Sequence, residues 1–248
     1  MTGMSVAARF DAALAAQDDD ALAGPELFPM RLVRACAELL GADGAGISLL
    51  LDDSRRLPLA ASDPVAGVAE RLQFTLGAGP CLLAHESRRP VVATEDYLTR
   101  RWPEYTAALH TQTDYRAVAA LPIERHLAGL GALDLYFHSA QRLLALDVFE
   151  ALSAAQLAVE ALDRASVGEE WTAEHGPSWA HSPAAQSRAR VWQAIALVDC
   201  QHAVGTSRAL DLLREHARRR GQLVEASADA LLRGEIGADD VGDLSGAR

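Results

Sequence analysis

The chain has 248 residues, half of them hydrophobic, and a formal net charge of −11 at pH 7. This length allows one large domain or two small ones, each able to bury a core. No apolar run approaches the roughly 20 residues needed to cross a bilayer, and the first residues lack the pattern of a secretory signal. We therefore expect a cytoplasmic protein with no membrane partner. The three cysteines, Cys36, Cys81 and Cys200, are too widely spaced for a disulfide framework or a cysteine-rich metal site.

The charge is unevenly distributed along the chain. Residues 188–233 contain eight arginines against five acidic residues, a local net charge of +3 that leaves −14 elsewhere. The chain has no lysine and no asparagine, so its permanently basic side chains are all arginines. The planar guanidinium group is a strong donor to phosphates and bases. The C-terminal part is therefore the candidate for an interface with nucleic acid.

The chain begins with residues 1–26, which are rich in alanine and aspartate, and we expect them to be a flexible N-terminal segment. An apolar stripe then predicts a helix over residues 26–40, ended by Gly41.

Short apolar runs between turn residues predict strands, and two helices are expected among them. The runs lie at 45–53, 57–62, 88–96, 115–125 and 129–138. One helix is expected to begin at Asp63, which can cap it ahead of Pro64, and another spans 101–112. A tight loop is expected at 126–129. Because the elements lack regular βαβ spacing, we expect one mixed or antiparallel sheet with helices packed against it.

From about Leu143 the apolar residues recur at alternating steps of four and three. The seam consists of Val148, Leu152, Ala155, Val159 and Leu162. Such a seam is typical of a coiled coil and predicts a homodimer. The alternative is a helix that packs on its own sheet.

The remaining sequence divides into a spacer, a helical region and a tail. Residues 166–187 contain Gly, Pro and Ser without periodicity and are expected to be a linker. Three short amphipathic segments follow, at 188–202, 207–219 and 222–233, and predict a small three-helix bundle. Residues 234–248 are expected to be a flexible acidic tail.

The middle of the chain resembles the GAF sensory domain, in the form found in actinobacterial GAF–ANTAR regulators. Three motifs carry the resemblance: "GAGPCLLAHESRRPVVATED" (77–96), "RWPEY" (101–105) and "YRAVAALPIERHLAGLGALDLYFH" (115–138). It extends over roughly residues 27–163. The first motif usually has Glu where Ala78 stands. The resemblance implies a sensory domain over 27–165 with a mostly antiparallel sheet flanked by helices, ending in a long helix.

The C-terminal region is similar to the ANTAR domain, a three-helix RNA-binding module of transcription antiterminators. The resemblance extends over residues 190–232, where Arg190, Gln193-Ala194 and Leu213-Arg214 stand at the expected spacing. The family's usual Lys-Gly is replaced by Ile195-Ala196, and its usual Asn falls near Arg220. The resemblance implies an all-α three-helix bundle over residues 188–233 that binds stem-loops in nascent RNA.

Three residues are candidates for ligand binding or sensing within the GAF-like part. Cys81 follows Gly-Pro at a predicted helix start, where the helix dipole could lower its pKa, and His85 lies one turn later. A buried Cys is commonly only a small hydrophobic residue, and no orienting acid for a nucleophile is visible. Trp102 is expected to anchor a helix start against the sheet, or alternatively to form a wall of the ligand pocket. We predict no catalytic residue, metal site or cofactor.

Five arginines are the candidates for RNA contact. They are Arg190, Arg214, Arg218, Arg219 and Arg220. Such clusters bind the RNA backbone and stack on unpaired loop bases, although a solvated helix end also favours cations. We therefore expect a non-enzymatic, signal-responsive antitermination regulator that senses an unidentified small molecule or protein. The alternative is a dimeric sensor whose helical tail binds protein and not RNA.

Overall fold

The computed structural model describes residues 4–50, 56–125, 129–166 and 176–242. Its five strands are β1 (Gly44–Leu50), β2 (Arg56–Ala61), β3 (Val91–Ala93), β4 (Ala117–Arg125) and β5 (Gly129–Phe137). They form one antiparallel sheet in the order β2-β1-β5-β4-β3. The expectation of an antiparallel sheet is confirmed. Residues 126–128, most of the predicted loop, lie outside the described residues.

Within the described residues, twelve α-helices surround and follow the sheet. They are α1 (Val6–Ala15), α2 (Phe28–Leu40), α3 (Pro64–Leu76), α4 (Pro80–Ser87), α5 (Glu95–Arg101), α6 (Pro103–Gln112), α7 (Ala140–Leu144), α8 (Val148–Ala165), α9 (Pro183–His202), α10 (Thr206–Arg219), α11 (Val224–Leu232) and α12 (Ala238–Gly242). No helix in these ranges combines the length and apolarity that crossing a membrane requires.

The sheet separates two apolar layers because side chains alternate between its faces. One face, with Ile47, Leu121 and Leu133, packs under α2 and α8. The other face, with Val118 and Tyr136, packs under α3, α4 and α6. We call the sheet with α2–α8 the sheet domain, and α9–α12 the C-terminal bundle.

Two predicted helix boundaries are confirmed by their caps. The Asp63 carboxylate accepts hydrogen bonds from the N–H groups of Val65 and Ala66 at 2.8 and 2.9 Å, and Pro64 is the first residue of α3. Gly41 has a φ of 63° and ends α2 in the left-handed conformation.

The N-terminal segment differs from the prediction of a flexible stretch over 1–26. Residues 6–15 form α1, which packs on α2 and α8. Phe10 is fully buried in the core of the sheet domain. The burial of this one aromatic ring explains why an alanine-rich segment is ordered.

The apolar seam of α8 faces the interior of its own domain. Ala155, Val159 and Leu162 are buried against the sheet and α2. Of the two interpretations of this seam, a coiled coil or a helix that packs on its own sheet, the structure has the second. These three buried residues of the seam are therefore not available for a coiled coil.

The predicted linker over 166–187 is partly structured, as far as it is described. The buried indole of Trp179 donates a hydrogen bond to the Ser166 hydroxyl at 2.6 Å, and α9 begins at Pro183. Residues 167–175 of this stretch lie outside the described residues. A buried Trp with a satisfied N–H ties the end of the stretch to the domain core.

The three predicted C-terminal helices correspond to α9, α10 and α11, which pack on one another around a core of their own. The predicted tail over 234–248 differs in its first part. Residues 238–242 form α12, and the fully buried Val241 packs in the bundle core. The C-terminal bundle therefore has a fourth short helix, and 243–248 lie outside the described residues.

Candidate functional site

A buried cluster of polar side chains lies between the sheet and α3. Arg56 is at its centre and is 4% exposed. The Arg56 Nη2 atom lies 2.6 Å from Oε2 of Glu70 and 3.3 Å from Oδ2 of Asp134. Its Nε donates to the Ser48 hydroxyl at 2.9 Å. One guanidinium group therefore joins β1, β2, β5 and α3.

The sequence brings these groups together through two simple periodicities. Glu70 and Gln73 are three residues apart on α3 and so share one helix face. Asp134 and Tyr136 are two residues apart on β5 and so share one sheet face. The Gln73 amide donates to Asp134 at 2.9 Å, and the Tyr136 hydroxyl donates to Glu70 at 2.6 Å. The cluster is thus a connected network.

Burial sets the ionisation of this cluster. Burial and the nearby Glu70 carboxylate raise the pKa of Asp134 well above its ordinary value. Burial opposes the charge of Arg56, but the acidic groups of Cys81, Glu70 and Asp134 raise the pKa of Arg56 overall. Arg56 therefore stays charged, and Asp134 takes up a proton more readily than an exposed aspartate. A protonated Asp134 leaves Arg56 balanced by Glu70 alone.

Three buried polar atoms of this region have no hydrogen-bond partner among the residues that the structure describes. They are Nη1 of Arg56, Oδ1 of Asp134 and the hydroxyl oxygen of Tyr105. Buried polar groups are nearly always paired, because an unpaired one costs about 1–3 kcal/mol. These atoms could therefore bind a polar group that enters the cluster.

Residues 77–81 form a turn that leads into α4 and folds around the Gln73 amide, and the predicted helix start near Cys81 is the start of α4. The Cys81 N–H donates to Oε1 of Gln73 at 2.8 Å. A Cβ atom on Gly79 would lie 2.5 Å from the same oxygen. Cys81 is fully buried, and burial raises the pKa of its thiol well above the ordinary value, not below it. This environment does not favour a thiolate nucleophile.

The other two predicted sensing residues lie near this turn or beyond it. His85 is half-buried on α4, one turn after Cys81. Trp102 lies at the junction of α5 and α6, with its ring edge-on to Tyr97 at 5.8 Å. Its position matches a residue that anchors a helix start.

The end of α3 is also the place where the C-terminal bundle docks. The guanidinium carbons of Arg188 and Arg214 lie 3.2 and 4.8 Å from the centre of the Phe74 ring. Nε of Arg214 donates to the Phe74 carbonyl at 2.9 Å, and the Val224 N–H donates to the Thr75 hydroxyl at 3.1 Å. Cation–π contacts and backbone hydrogen bonds therefore hold the bundle to the sheet domain.

Arg188, which packs on Phe74 in this docking contact, also forms a buried ion pair inside the bundle. It is 2% exposed, and its Nη2 lies 3.0 Å from Oε1 of Glu225. Burial lowers the pKa of Arg188 to about 10, and the positive charge of Arg56 contributes to this shift. Each of the two parts of the chain therefore contains a buried ion pair between an arginine and a glutamate.

Comparison with known proteins identifies the sheet domain. A family model described as GAF domain matches residues 31–163, more than half of the chain. The chain belongs to the GAF domain family. A GAF domain indicates a signal-sensing regulatory role. We now call the sheet domain the GAF domain.

Among solved structures, two similar chains are GAF domains of phosphoenolpyruvate-protein phosphotransferases. The one from Coxiella burnetii is 19% identical with a TM-score of 0.40, over 66% of this chain and 100% of its own. The one from Acinetobacter is 15% identical with a TM-score of 0.39, over 67% and 100%. SdiA in complex with octanoyl-rac-glycerol is 12% identical with a TM-score of 0.42, over 94% and 96%. No curated protein matches the sequence.

The five predicted RNA-contact arginines are all in the C-terminal bundle, but four of them have partners within the chain. Arg190 pairs with Asp229 at 2.6 Å, and Arg214 is bound to the GAF domain as described. Arg218 contacts Glu215 and lies 3.5 Å from Glu104 of the GAF domain. Arg219 lies 4.0 Å from Glu215. Arg220 is exposed after the end of α10.

One arginine of this surface was not predicted. A groove of about 480 Å³ runs between α10 and the GAF domain, and its lining includes Arg208, Arg214 and Arg218. Arg208 is six residues before Arg214 on the same helix. It was missed because it is a single arginine in the first turn of α10, apart from the dense run at the end of that helix.

Proposed function

We propose that this chain is a cytoplasmic, signal-responsive transcription antitermination regulator. In this proposal the GAF domain senses a small molecule or protein, and the C-terminal bundle binds stem-loops in nascent RNA. No catalytic step is needed for this role. The similarity of residues 190–232 to the ANTAR domain supports RNA as the partner.

The observation that carries this proposal is the charge of α10 and the loop after it. This stretch has five arginines and only two acidic residues. Arg208 and Arg218 line the groove beside the GAF domain, and Arg220 extends the positive surface beyond it. Guanidinium groups at this density suit the phosphates and splayed bases of RNA loops.

The contacts at the groove suggest how the GAF domain could control RNA binding. Arg218 lies between Glu215 of its own helix and Glu104 of α6. Exposed ion pairs contribute only about 0–1 kcal/mol, so phosphates can replace these carboxylates. A signal that moves α6 or the end of α3 would then change how easily α10 reaches RNA.

The test is a titration of labelled RNA containing two tandem hairpins. We expect Arg218→Ala/Arg219→Ala/Arg220→Ala to weaken binding and to reduce the slope of log K against log salt by about 2, for three lost contacts to single-stranded loops. The control is Arg89→Ala/Arg100→Ala/Arg101→Ala, which removes three exposed arginines of the GAF domain. Absence of wild-type binding at low salt would contradict RNA as the partner. If the first variant binds RNA as tightly as wild type, these three arginines do not contact it.

A second candidate is a sensor whose bundle binds a protein instead of RNA. It is favoured by the carboxylate partners of Arg190 and Arg218, which leave fewer guanidinium groups for phosphate. The same titration separates the two, since this candidate requires no RNA binding at any salt concentration.

We also propose that the regulator is a homodimer. Leu144 and Phe149 are 71% and 83% exposed on α7 and α8, an unusual exposure for large apolar side chains. Sedimentation equilibrium is expected to give a dimer that Phe149→Glu dissociates, while Leu197→Glu, at an exposed position of α9, has no effect. A wild-type monomer at high concentration would contradict a dimer.

A further inference from the structure

A second cavity lies at the outer edge of the sheet, and Glu70 of the buried polar cluster forms part of its wall. It has a volume of about 400 Å³ and is lined by residues of β2, α2, α3, the start of α9 and α11. Its walls are mainly apolar and include Leu27, Met30, Pro58, Ala60, Pro64 and Ala184. Small-molecule sites are typically cavities of this size with apolar walls and a few polar groups.

Three of the four acidic side chains in the wall of this cavity already have hydrogen-bond or ion-pair partners. Of its acidic residues, Glu70 is bound to Arg56, Glu225 is bound to Arg188, and the Asp63 carboxylate caps α3. The fourth acid, Glu26, folds back over Gly24.

The two arginines in the wall, Arg34 and Arg71, form no ion pair with an acid of the described ranges. Arg34 donates through Nε to the Ser62 carbonyl at 2.9 Å and has no carboxylate partner in the described chain. Arg71 has neither a carboxylate nor a carbonyl partner among the described residues. By contrast, the deeply buried Arg56 and Arg188 both have carboxylates. The cavity therefore presents two guanidinium groups that can bind an anion.

Gly67 makes room for one of these guanidinium groups. It lies inside α3, where glycine costs about 1 kcal/mol relative to alanine. A Cβ at this position would lie 3.3 Å from Nη1 of Arg71 and 3.7 Å from Cβ of Ala61. The missing side chain allows Arg71 to lie along the cavity wall, one helical turn from its own backbone position.

We propose that this cavity binds a small amphipathic carboxylate. Its apolar part packs on the residues from α2, β2 and α9, and its carboxylate is bound by Arg71 and Arg34. Because Ala184 and Glu225 belong to the C-terminal bundle, the bound molecule contacts both parts of the chain. The site requires no RNA binding, so it is independent of the function proposed above.

The test is isothermal titration of the full chain with heptanoate, heptanol and heptylamine. These probes share one apolar chain and differ in the charge of one end. We expect saturable binding of one heptanoate, at least tenfold tighter than heptanol or heptylamine, because a charge-assisted hydrogen bond to Arg71 is lost with the other two. Arg71→Gln should weaken the binding of heptanoate about tenfold and leave the affinity for heptanol nearly unchanged.

Two further variants complete the experiment. Arg89→Gln removes an exposed arginine outside the cavity and should leave heptanoate binding unchanged. Ala184→Phe fills the cavity from the first turn of α9 and should abolish binding, with circular dichroism confirming that the variant is folded. The proposal is overturned if heptanoate does not bind, if heptylamine binds more tightly, or if Arg71→Gln binds heptanoate as wild type does.

Discussion

At the scale of single residues, Asp134 affects the charge of the buried cluster in the GAF domain. Its Oδ2 accepts hydrogen bonds from Gln73 and Arg56, while its Oδ1 is buried and has no partner within the described part of the chain. If Asp134 is ionised, a second carboxylate lies beside Glu70, and the guanidinium group of Arg56 alone balances the two negative charges. The cluster is therefore more favourable when Asp134 holds a proton.

This gives a prediction for the pH dependence of stability. The pKa of Asp134 is raised in the folded chain above its ordinary value of 3.8. Its stabilising contribution is therefore complete below about pH 4 and is lost as pH rises toward the folded-state pKa, by about 1.4 kcal/mol for each pH unit between the two values. Urea unfolding from pH 4 to pH 8 should show this loss in wild type and its absence in Asp134→Asn. Asp96→Asn, at an exposed position, is the control and should show the same loss as wild type. If the unfolding free energies of wild type and Asp134→Asn differ by the same amount at every pH, the pKa of Asp134 is not raised in the folded chain.

The cysteines give a second prediction at this scale. Cys36 and Cys81 are fully buried, and burial raises the pKa of Cys36 to about 12, whereas Cys200 is exposed. Ellman's reagent should therefore modify one thiol rapidly in the folded chain and three after unfolding. Cys200→Ser should remove the rapid phase. A rapid phase that persists in this variant would show that a buried cysteine is accessible.

Sequence reasoning found Cys81 because thiols are chemically conspicuous, but it missed Arg56, Glu70, Gln73 and Asp134. Each of these is a single polar residue in an otherwise ordinary element. Their partners come from strands and a helix separated by as many as 78 residues, so only the sheet register brings them together. The isolated carboxylate in the apolar run of β5 was the one local sign.

Among elements, α3 connects the two parts of the chain. Its inner face supplies Glu70 and Gln73 to the buried cluster, and its last turn supplies Phe74 to the bundle core. Gly77 ends it with a φ of 63°, and a Cβ there would lie 3.1 Å from Nη1 of Arg214. Glycine is therefore favoured at position 77 for two reasons, the left-handed backbone and the closeness of Arg214.

Two glycines provide a matched test of this contact. Gly41 also has a φ of 63°, but no other part of the described chain lies within 4 Å of the position that its Cβ would take. Gly41→Ala should therefore lose about 1 kcal/mol of unfolding free energy from backbone strain alone. Gly77→Ala should lose more unfolding free energy than Gly41→Ala, because its Cβ also presses on Arg214. In a double-mutant cycle, the additional change Arg214→Ala should remove part of this extra loss. Equal losses at both glycines would show that Arg214 does not press on this turn.

The elements with local signals were predictable from sequence, and those held by distant contacts were not. Asp63 and Gly41 fix helix ends through neighbouring backbone groups, so α2 and α3 were found near their true bounds. α1 was missed because its order depends on Phe10 entering a core built by later residues. The burial of Trp179 was missed for the same reason.

For the molecule as a whole, the arrangement of the bundle on the GAF domain could not be predicted. The contact between Arg214 and Phe74 joins residues 140 positions apart, and no periodicity in either segment indicates it. This contact places α10 beside Glu104 and makes the groove a shared surface. Sensing and RNA binding are therefore proposed to be coupled through direct contact rather than through a long linker.

The most direct measurement of this coupling is the affinity for the two-hairpin RNA of wild type, Glu104→Gln and Glu86→Gln. The two variants remove one exposed acid each, but only Glu104 lies beside Arg218. We predict that wild type binds at low salt, that Glu104→Gln binds two- to fivefold more tightly, as expected for loss of an exposed ion pair, and that Glu86→Gln equals wild type. No RNA binding by any of the three, or equal affinities in all three, would contradict the account.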